Sequence, residues 1–152
     1  AIASHIPLGA MIEVPSAAIA LTTFIREIDF LSVGTNDLVQ YVLAADRNNE
    51  YLGDLYSPLH PALLHLLHDV LRTGARHDKP VAICGEMAGD PSFTPLLLAL
   101  GLEEFSLHPG TLLEVRRAIR AVNLGELRTQ ARSLLRAGDR SGIERWMRAN
   151  AP

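Results

Sequence analysis

The chain has 152 residues, 48% hydrophobic and 20% charged, with a formal net charge of −3, enough apolar material for one sizeable core. Its single cysteine excludes an internal disulfide framework and fits a reducing, cytoplasmic setting. No apolar run approaches the roughly 18 uncharged residues of a membrane span, and Ala1-Ile2-Ala3-Ser4-His5 has neither the basic region nor the cleavage pattern of a signal peptide.

The chain starts without methionine a few residues before a strand, which points to a piece of a longer polypeptide. Gly9-Ala10-Met11-Ile12-Glu13-Val14 is a short apolar run ending in a carboxylate. Pro15-Ser16 then suits the start of a helix over about 17–26. A second strand is predicted over 30–34, and Thr35-Asn36-Asp37 suits a cap for a helix over 38–45. Residues 46–61 read as a polar loop. Over 62–77, Leu63, Leu64, Leu67, Val70, Leu71 and Ala75 recur with the period of one helical face. A third strand over 80–84, a helix over 94–100 stopping at Gly101, a short strand over 105–107 and a helix over 112–122 follow. Two or three short helices, broken at Gly125 and over 138–142, finish the chain.

The charge is uneven. Up to Val115 there are five basic and fourteen acidic residues; from Arg116 onward there are nine and three. Arg116 and Arg120 are four apart, as are Arg128, Arg132 and Arg136. Each set therefore occupies one helical face, with Leu124, Leu127, Leu134 and Leu135 on another. A solvated face, or one docked on the acidic part of the same protein, explains this better than a nucleic-acid surface.

Strands alternating with helices imply right-handed βαβ units and a parallel sheet. No glycine-rich dinucleotide fingerprint follows the first strand. Four such units are half of an eight-unit barrel, a fold of roughly 250 residues whose chemistry gathers at the carboxyl ends of the strands. Those ends carry Glu13, then Asn36 and Asp37, then Cys84, whereas the amino ends carry nothing comparable.

The stretch Ala82-Ile83-Cys84-Gly85-Glu86-Met87-Ala88-Gly89-Asp90 runs from a strand into a thiol, two glycines and two carboxylates. A nucleophile or proton donor sits well there; an inert buried cysteine is the alternative. Glu13 and Asp37 form the kind of carboxylate pair that holds Mg²⁺ with substrate oxygens and water, or they cap the helices that follow them. Thr35 and the Asn36 amide lie at a helix start, where free N–H groups and the dipole favour phosphate. Arg47, in Asp46-Arg47-Asn48-Asn49-Glu50, adds a cation to that phosphate, or is a surface arginine paired with Asp46 or Glu50. A metal, a phosphate and a thiol together suggest a small phosphorylated acid whose carbon gains or loses a proton.

Three segments carry a resemblance: Gly9-Ala10-Met11-Ile12-Glu13-Val14-Pro15-Ser16-Ala17, Ser32-Val33-Gly34-Thr35-Asn36-Asp37-Leu38-Val39-Gln40-Tyr41, and Ile83-Cys84-Gly85-Glu86-Met87-Ala88-Gly89-Asp90. From about Gly9 to Val122 the chain resembles the phosphoenolpyruvate-utilising enzymes, above all the enzyme I group of phosphotransferases. Dikinase and synthase members share Gly34-Thr35-Asn36-Asp37 and the cysteine, but usually differ after Cys84-Gly85. The resemblance implies an α/β fold in which residues 1–123 are the C-terminal half (strands 5–8) of a (β/α)8 TIM barrel with parallel strands, followed by C-terminal helices over 124–152. It assigns Glu13 and Asp37 to Mg²⁺, and Asn36, Asp37 and Arg47 to phosphoenolpyruvate. Cys84 becomes the acid that protonates the enolate carbon as pyruvate forms.

In that family the phosphoryl group passes to a histidine on a separate domain and then to a histidine-containing phosphocarrier protein. His5, His60, His65, His68, His77 and His108 lie outside that domain's motif. Further phosphate-binding arginines belong to the absent half, so the isolated piece is expected not to turn over. A homodimer is also implied, and neither nucleic acid nor membrane insertion is expected. The segment Ser106-Leu107-His108-Pro109-Gly110 departs from the serine-containing form of many relatives, which leaves its role open. Two other functions stay in view: a dikinase or synthase half-barrel, and a non-catalytic assembly module pairing through two open sheet edges.

Overall fold

The structure is a computed structural model that describes residues 6–52 and 55–151. His5, two positions of the 46–61 loop and the side chain of Glu50 lie outside the described residues. Gly9–Ile12 (β1), Phe30–Gly34 (β2), Val81–Cys84 (β3) and Glu104–Phe105 (β4) form one parallel sheet in the order β1-β2-β3-β4. The register aligns Ile12 with Val33, Val33 with Ile83, and Gly34 with Cys84. Because successive side chains alternate, Ile12, Leu31, Val33, Val81 and Ile83 share one face. All are buried, and they join a single core with leucines from the helices. Glu13 and Asn36-Asp37 directly follow the carboxyl ends of β1 and β2, and Cys84 ends β3.

The first connection is shorter in helix than its sequence suggests. The helix expected over 17–26 divides into Pro15–Ile19 (α1) and two 3-10 turns, Leu21–Thr23 and Ile25–Glu27. Thr23 Oγ1 donates to Ala20 O at 2.7 Å at the end of the first of these turns. The second helix, Thr35–Leu43 (α2), starts directly from β2. Thr35, Asn36 and Asp37 therefore form its first turn instead of a preceding cap, and Gly34 occupies the cap position without a side-chain bond.

Pro61–Arg76 (α3) has the expected span. His60 caps it by accepting from Ala62 N, and Leu63, Leu64, Leu67, Val70 and Leu71 are buried. Ala75 is exposed; Gly74 takes the buried position beside it. Glu86–Gly89 (α4) is a single helical turn not anticipated from sequence, whereas Thr94–Leu100 (α5) matches its expected span and is buried throughout. Leu112–Ala121 (α6), Leu124–Leu135 (α7) and Arg140–Ala149 (α8) complete the chain. The expected break over 138–142 is present at Gly138 and Asp139, before α8, whereas Gly125 and Gly142 lie inside first turns, their amides donating to the capping side chains of Asn123 and Asp139. Leu127 and Leu134 of α7 are buried and Arg128, Arg132 and Arg136 exposed, but Leu124 faces solvent, away from the apolar face its spacing suggests. Arg128 pairs with Glu103 at 3.2 Å, an exposed pair worth little. Among the described residues, no helix is long and apolar enough to cross a membrane.

Candidate active site

The carboxyl ends of β2 and β3 are locked together. Thr35, fully buried, donates from Oγ1 to Cys84 O at 2.8 Å, and Glu86 N donates to Asn36 Oδ1 at 3.0 Å. Between them Gly85 has φ 98° and ψ −170°. A Cβ there would lie 2.6 Å from Thr35 Oγ1 and 2.8 Å from Asn36 Oδ1, so only glycine fits both the conformation and the space. The amide oxygen of Asn36 is thereby occupied, and its NH₂ group remains as a donor for a ligand.

Cys84 is half-buried and points to the sheet face opposite the core, alongside Ser32. Ser32 Oγ donates to Cys84 Sγ at 3.5 Å, and the thiol donates to Val33 O at 3.4 Å. This is a polar, partly open setting, unlike that of an inert core cysteine.

Glu13 lies against Gly34. A Cβ at Gly34 would sit 3.2 Å from both Glu13 Cβ and Oε2, so the missing side chain makes room for the carboxylate. Glu13 and Asp37 are both half-buried, and neither caps a helix. No hydrogen bond or ion pair from the described residues reaches either carboxylate. Two unpartnered oxygen donors suit Mg²⁺, which takes one or two carboxylates and keeps several waters. Among the described residues no group of three or more His, Cys, Asp or Glu converges as a closed metal cage.

Arg47 is exposed; its backbone N–H donates to Gln40 Oε1 at 3.4 Å, tying the loop to α2. Its guanidinium has no ion pair with Asp46, whose Oδ1 accepts from Asn48 N instead. Tyr56, from the far side of that loop, donates its hydroxyl to Asn36 O at 3.1 Å. Burial and the charge of Glu86 push its phenol above the ordinary 10.0; Arg47 pulls it down and Asp37 raises it further. Arg47, Asp37 and Glu86 thus all act on one hydroxyl at the Asn36 backbone.

An open cavity of about 580 Å³ is lined by Asn36, Gly85, Glu86, Asp90, Ser106 and His108, among others. A smaller one of about 120 Å³ lies among Thr35, Asn36, Tyr56 and Glu86. Asn36 lines both and Thr35 the smaller one; Glu13, Asp37, Arg47 and Cys84 lie outside both. The sequence reading noted the Glu86 carboxylate and the segment holding His108 without giving either a role, and it passed over Ser32 and Tyr56. Ser32 becomes visible only through the strand register, and Tyr56 only as a lone half-buried aromatic in a proline-containing loop. The other described histidines have structural or surface places: His60 caps α3, His65 is exposed, and His68 Nδ1 is 3.3 Å from Leu100 O.

Residues 1–124 match the family described as PEP-utilising enzyme, PEP-binding domain. Among curated proteins, the phosphoenolpyruvate-protein phosphotransferase of Cupriavidus necator is 50% identical over 132 residues, covering 87% of this chain and 22% of that protein. Its namesake from Staphylococcus carnosus is 46% identical over 127 residues, 84% of this chain and 22% of the relative. That from Mycoplasma pneumoniae is 44% identical over 138 residues, 91% and 24% respectively. The chain therefore spans less than a quarter of the length of these relatives.

Proposed function

Since the chain belongs to the phosphoenolpyruvate-utilising enzymes, we propose that it is the carboxyl-terminal half of a phosphoenolpyruvate-binding (β/α)8 barrel in an enzyme I-type phosphotransferase. Residues 1–123 would supply strands 5–8 and residues 124–152 the helices after them. Four consecutive parallel strands, with the buried residues of β1, β2 and β3 on one face, support the half-barrel. A cytoplasmic homodimer that meets a histidine-containing phosphocarrier protein completes the reading.

The observation that carries it is the carboxyl edge of the sheet, where two unpartnered carboxylates, an amide and a thiol follow successive strands. Glu13 and Asp37 would hold Mg²⁺, which when bound supplies positive charge to anionic substrate oxygens. The Asn36 amide and Arg47 would hold the phosphate. The phosphoryl group passes from the substrate oxygen to a histidine nitrogen on another domain, and the electrons of the broken P–O bond leave an enolate. Cys84 gives its proton to the enolate carbon, forming pyruvate and a thiolate that regains a proton from solvent. Positioning and charge neutralisation supply most of the catalysis.

The test is ³²P transfer from phosphoenolpyruvate to the carrier protein, with pyruvate release, in the full reading frame. Cys84→Ala is expected to slow pyruvate formation by about 10²-fold or more, the scale of a lost general acid. Full activity in that variant would remove the thiol from the mechanism.

A further inference from the structure

We propose that Ser32 is a positioning residue for Cys84: its hydroxyl holds the sulfur at the strand end and stabilises the thiolate left when the proton goes to the enolate carbon. The inference rests on the phosphoenolpyruvate reading and adds to it a residue that acts through the thiol. Ser32 and Cys84 point to the same face of the sheet, opposite the core. The register sets Gly34 beside Cys84 and Ser32 beside Ala82. The serine hydroxyl therefore reaches the sulfur on the diagonal, while Gly34 puts no side chain next to it. The register partners of Ser32 are Met11 and Ala82, so nothing in the sheet itself calls for a hydroxyl at this position.

Two hydrogen bonds hold the sulfur, one donated by Ser32 Oγ at 3.5 Å and one from the thiol to Val33 O at 3.4 Å. They respond in opposite ways to loss of the proton. As the enolate carbon is protonated, its electron pair forms the new C–H bond and the S–H pair stays on sulfur. The bond to Val33 O is then lost, and that carbonyl turns the negative end of its dipole to the sulfur. The Ser32 bond strengthens, because a donor to an ionised acceptor is roughly twice as strong as one to a neutral acceptor. Among the described residues Ser32 is the one hydrogen-bond donor to Sγ. An interaction that grows as charge develops speeds the step without tightening substrate binding. Thr35 meanwhile donates to Cys84 O at 2.8 Å, so side chain and backbone of the cysteine are both tied to the segment that leads from β2 into α2.

The test isolates the proton step as exchange of pyruvate methyl protons with deuterated water, read by NMR. The catalyst is the full polypeptide with Mg²⁺ and phosphoenolpyruvate present. Ser32→Ala is expected to slow exchange by about 10-fold or more, the range for a hydrogen bond to a charged group, while KM for phosphoenolpyruvate changes less than about twofold. Ser32→Thr keeps the hydroxyl on a side chain that suits a strand, and it should restore most of the exchange. It also separates loss of the hydrogen bond from a fault in folding. Exchange at the wild-type rate in Ser32→Ala, a Ser32→Thr variant as slow as the alanine, or a KM rise that matches the loss of exchange would overturn the assignment. Wild type that exchanges no methyl protons, or Cys84→Ala that exchanges them at the wild-type rate, would instead end the wider reading, and this inference with it.

Discussion

The two faces of the parallel sheet differ in what they ask of each residue. Toward the helices, Ile12, Leu31, Val33, Val81 and Ile83 are buried, each worth about 1.5–3 kcal/mol. On the opposite face lie Met11, Phe30, Ser32, Gly34, Ala82 and Cys84, with Met11 51% and Phe30 43% exposed. The first face supplies stability; the second leaves room at its carboxyl edge for Glu13 and carries the thiol. Consecutive residues of one strand can therefore belong to separate economies of folding and chemistry.

Ile83 and Cys84 are the sharpest test of that division. Ile83→Ala is expected to lower the unfolding free energy by about 3–4 kcal/mol through lost burial and a cavity. Cys84→Ala should cost less than about 1 kcal/mol, because its side chain is small and its face partly open. Urea unfolding of both variants decides it. Equal losses would show that the face bearing Cys84 contributes to stability as the helix-covered face does.

Next in size is the joint between the strand ends. Gly85→Ala combines a positive φ with overlap on Thr35 and Asn36, and an expected cost of about 2–3 kcal/mol. Gly101 is the internal control: its φ is 104°, yet a Cβ there meets nothing within 4 Å. Gly101→Ala should therefore cost only the conformational part, about 1 kcal/mol. Equal denaturant midpoints for the two variants would mean that the Thr35 and Asn36 contacts yield easily, and that the rim is softer than its hydrogen bonds suggest.

The parallel sheet and most helices were legible because alternating apolar runs and periodic leucines are local signals. The positions of Glu13, Asn36, Asp37 and Cys84 along the carboxyl edge follow from that alternation alone, since every parallel strand ends on the same side. Register was not legible. The contact from Ser32 to Cys84 links residues 52 positions apart, and that from Thr35 to Cys84 links residues 49 apart. Nor could spacing show that Asn36 would spend its oxygen on Glu86 N while lying inside α2. The helix expected over 17–26 gave way to one short helix and two 3-10 turns, a division that apolar content does not report.

The smallest expected effect concerns the loop that leans on this rim. Tyr56→Phe removes one hydroxyl donation to Asn36 O and should cost about 0.5–1.5 kcal/mol near neutrality. Its pH dependence carries the sharper information. The folded phenol holds its proton more tightly than the unfolded one, so Tyr56 contributes fully below about pH 10.0 and loses that contribution as pH rises through the higher folded value. The stability gap between wild type and Tyr56→Phe should accordingly be flat below pH 10 and narrow above it. A gap that stays constant through the alkaline range would separate Tyr56 from the burial and the Glu86 charge that raise it. It would also loosen the tie between the loop and Asn36, leaving β2 and β3 to hold the amide unaided.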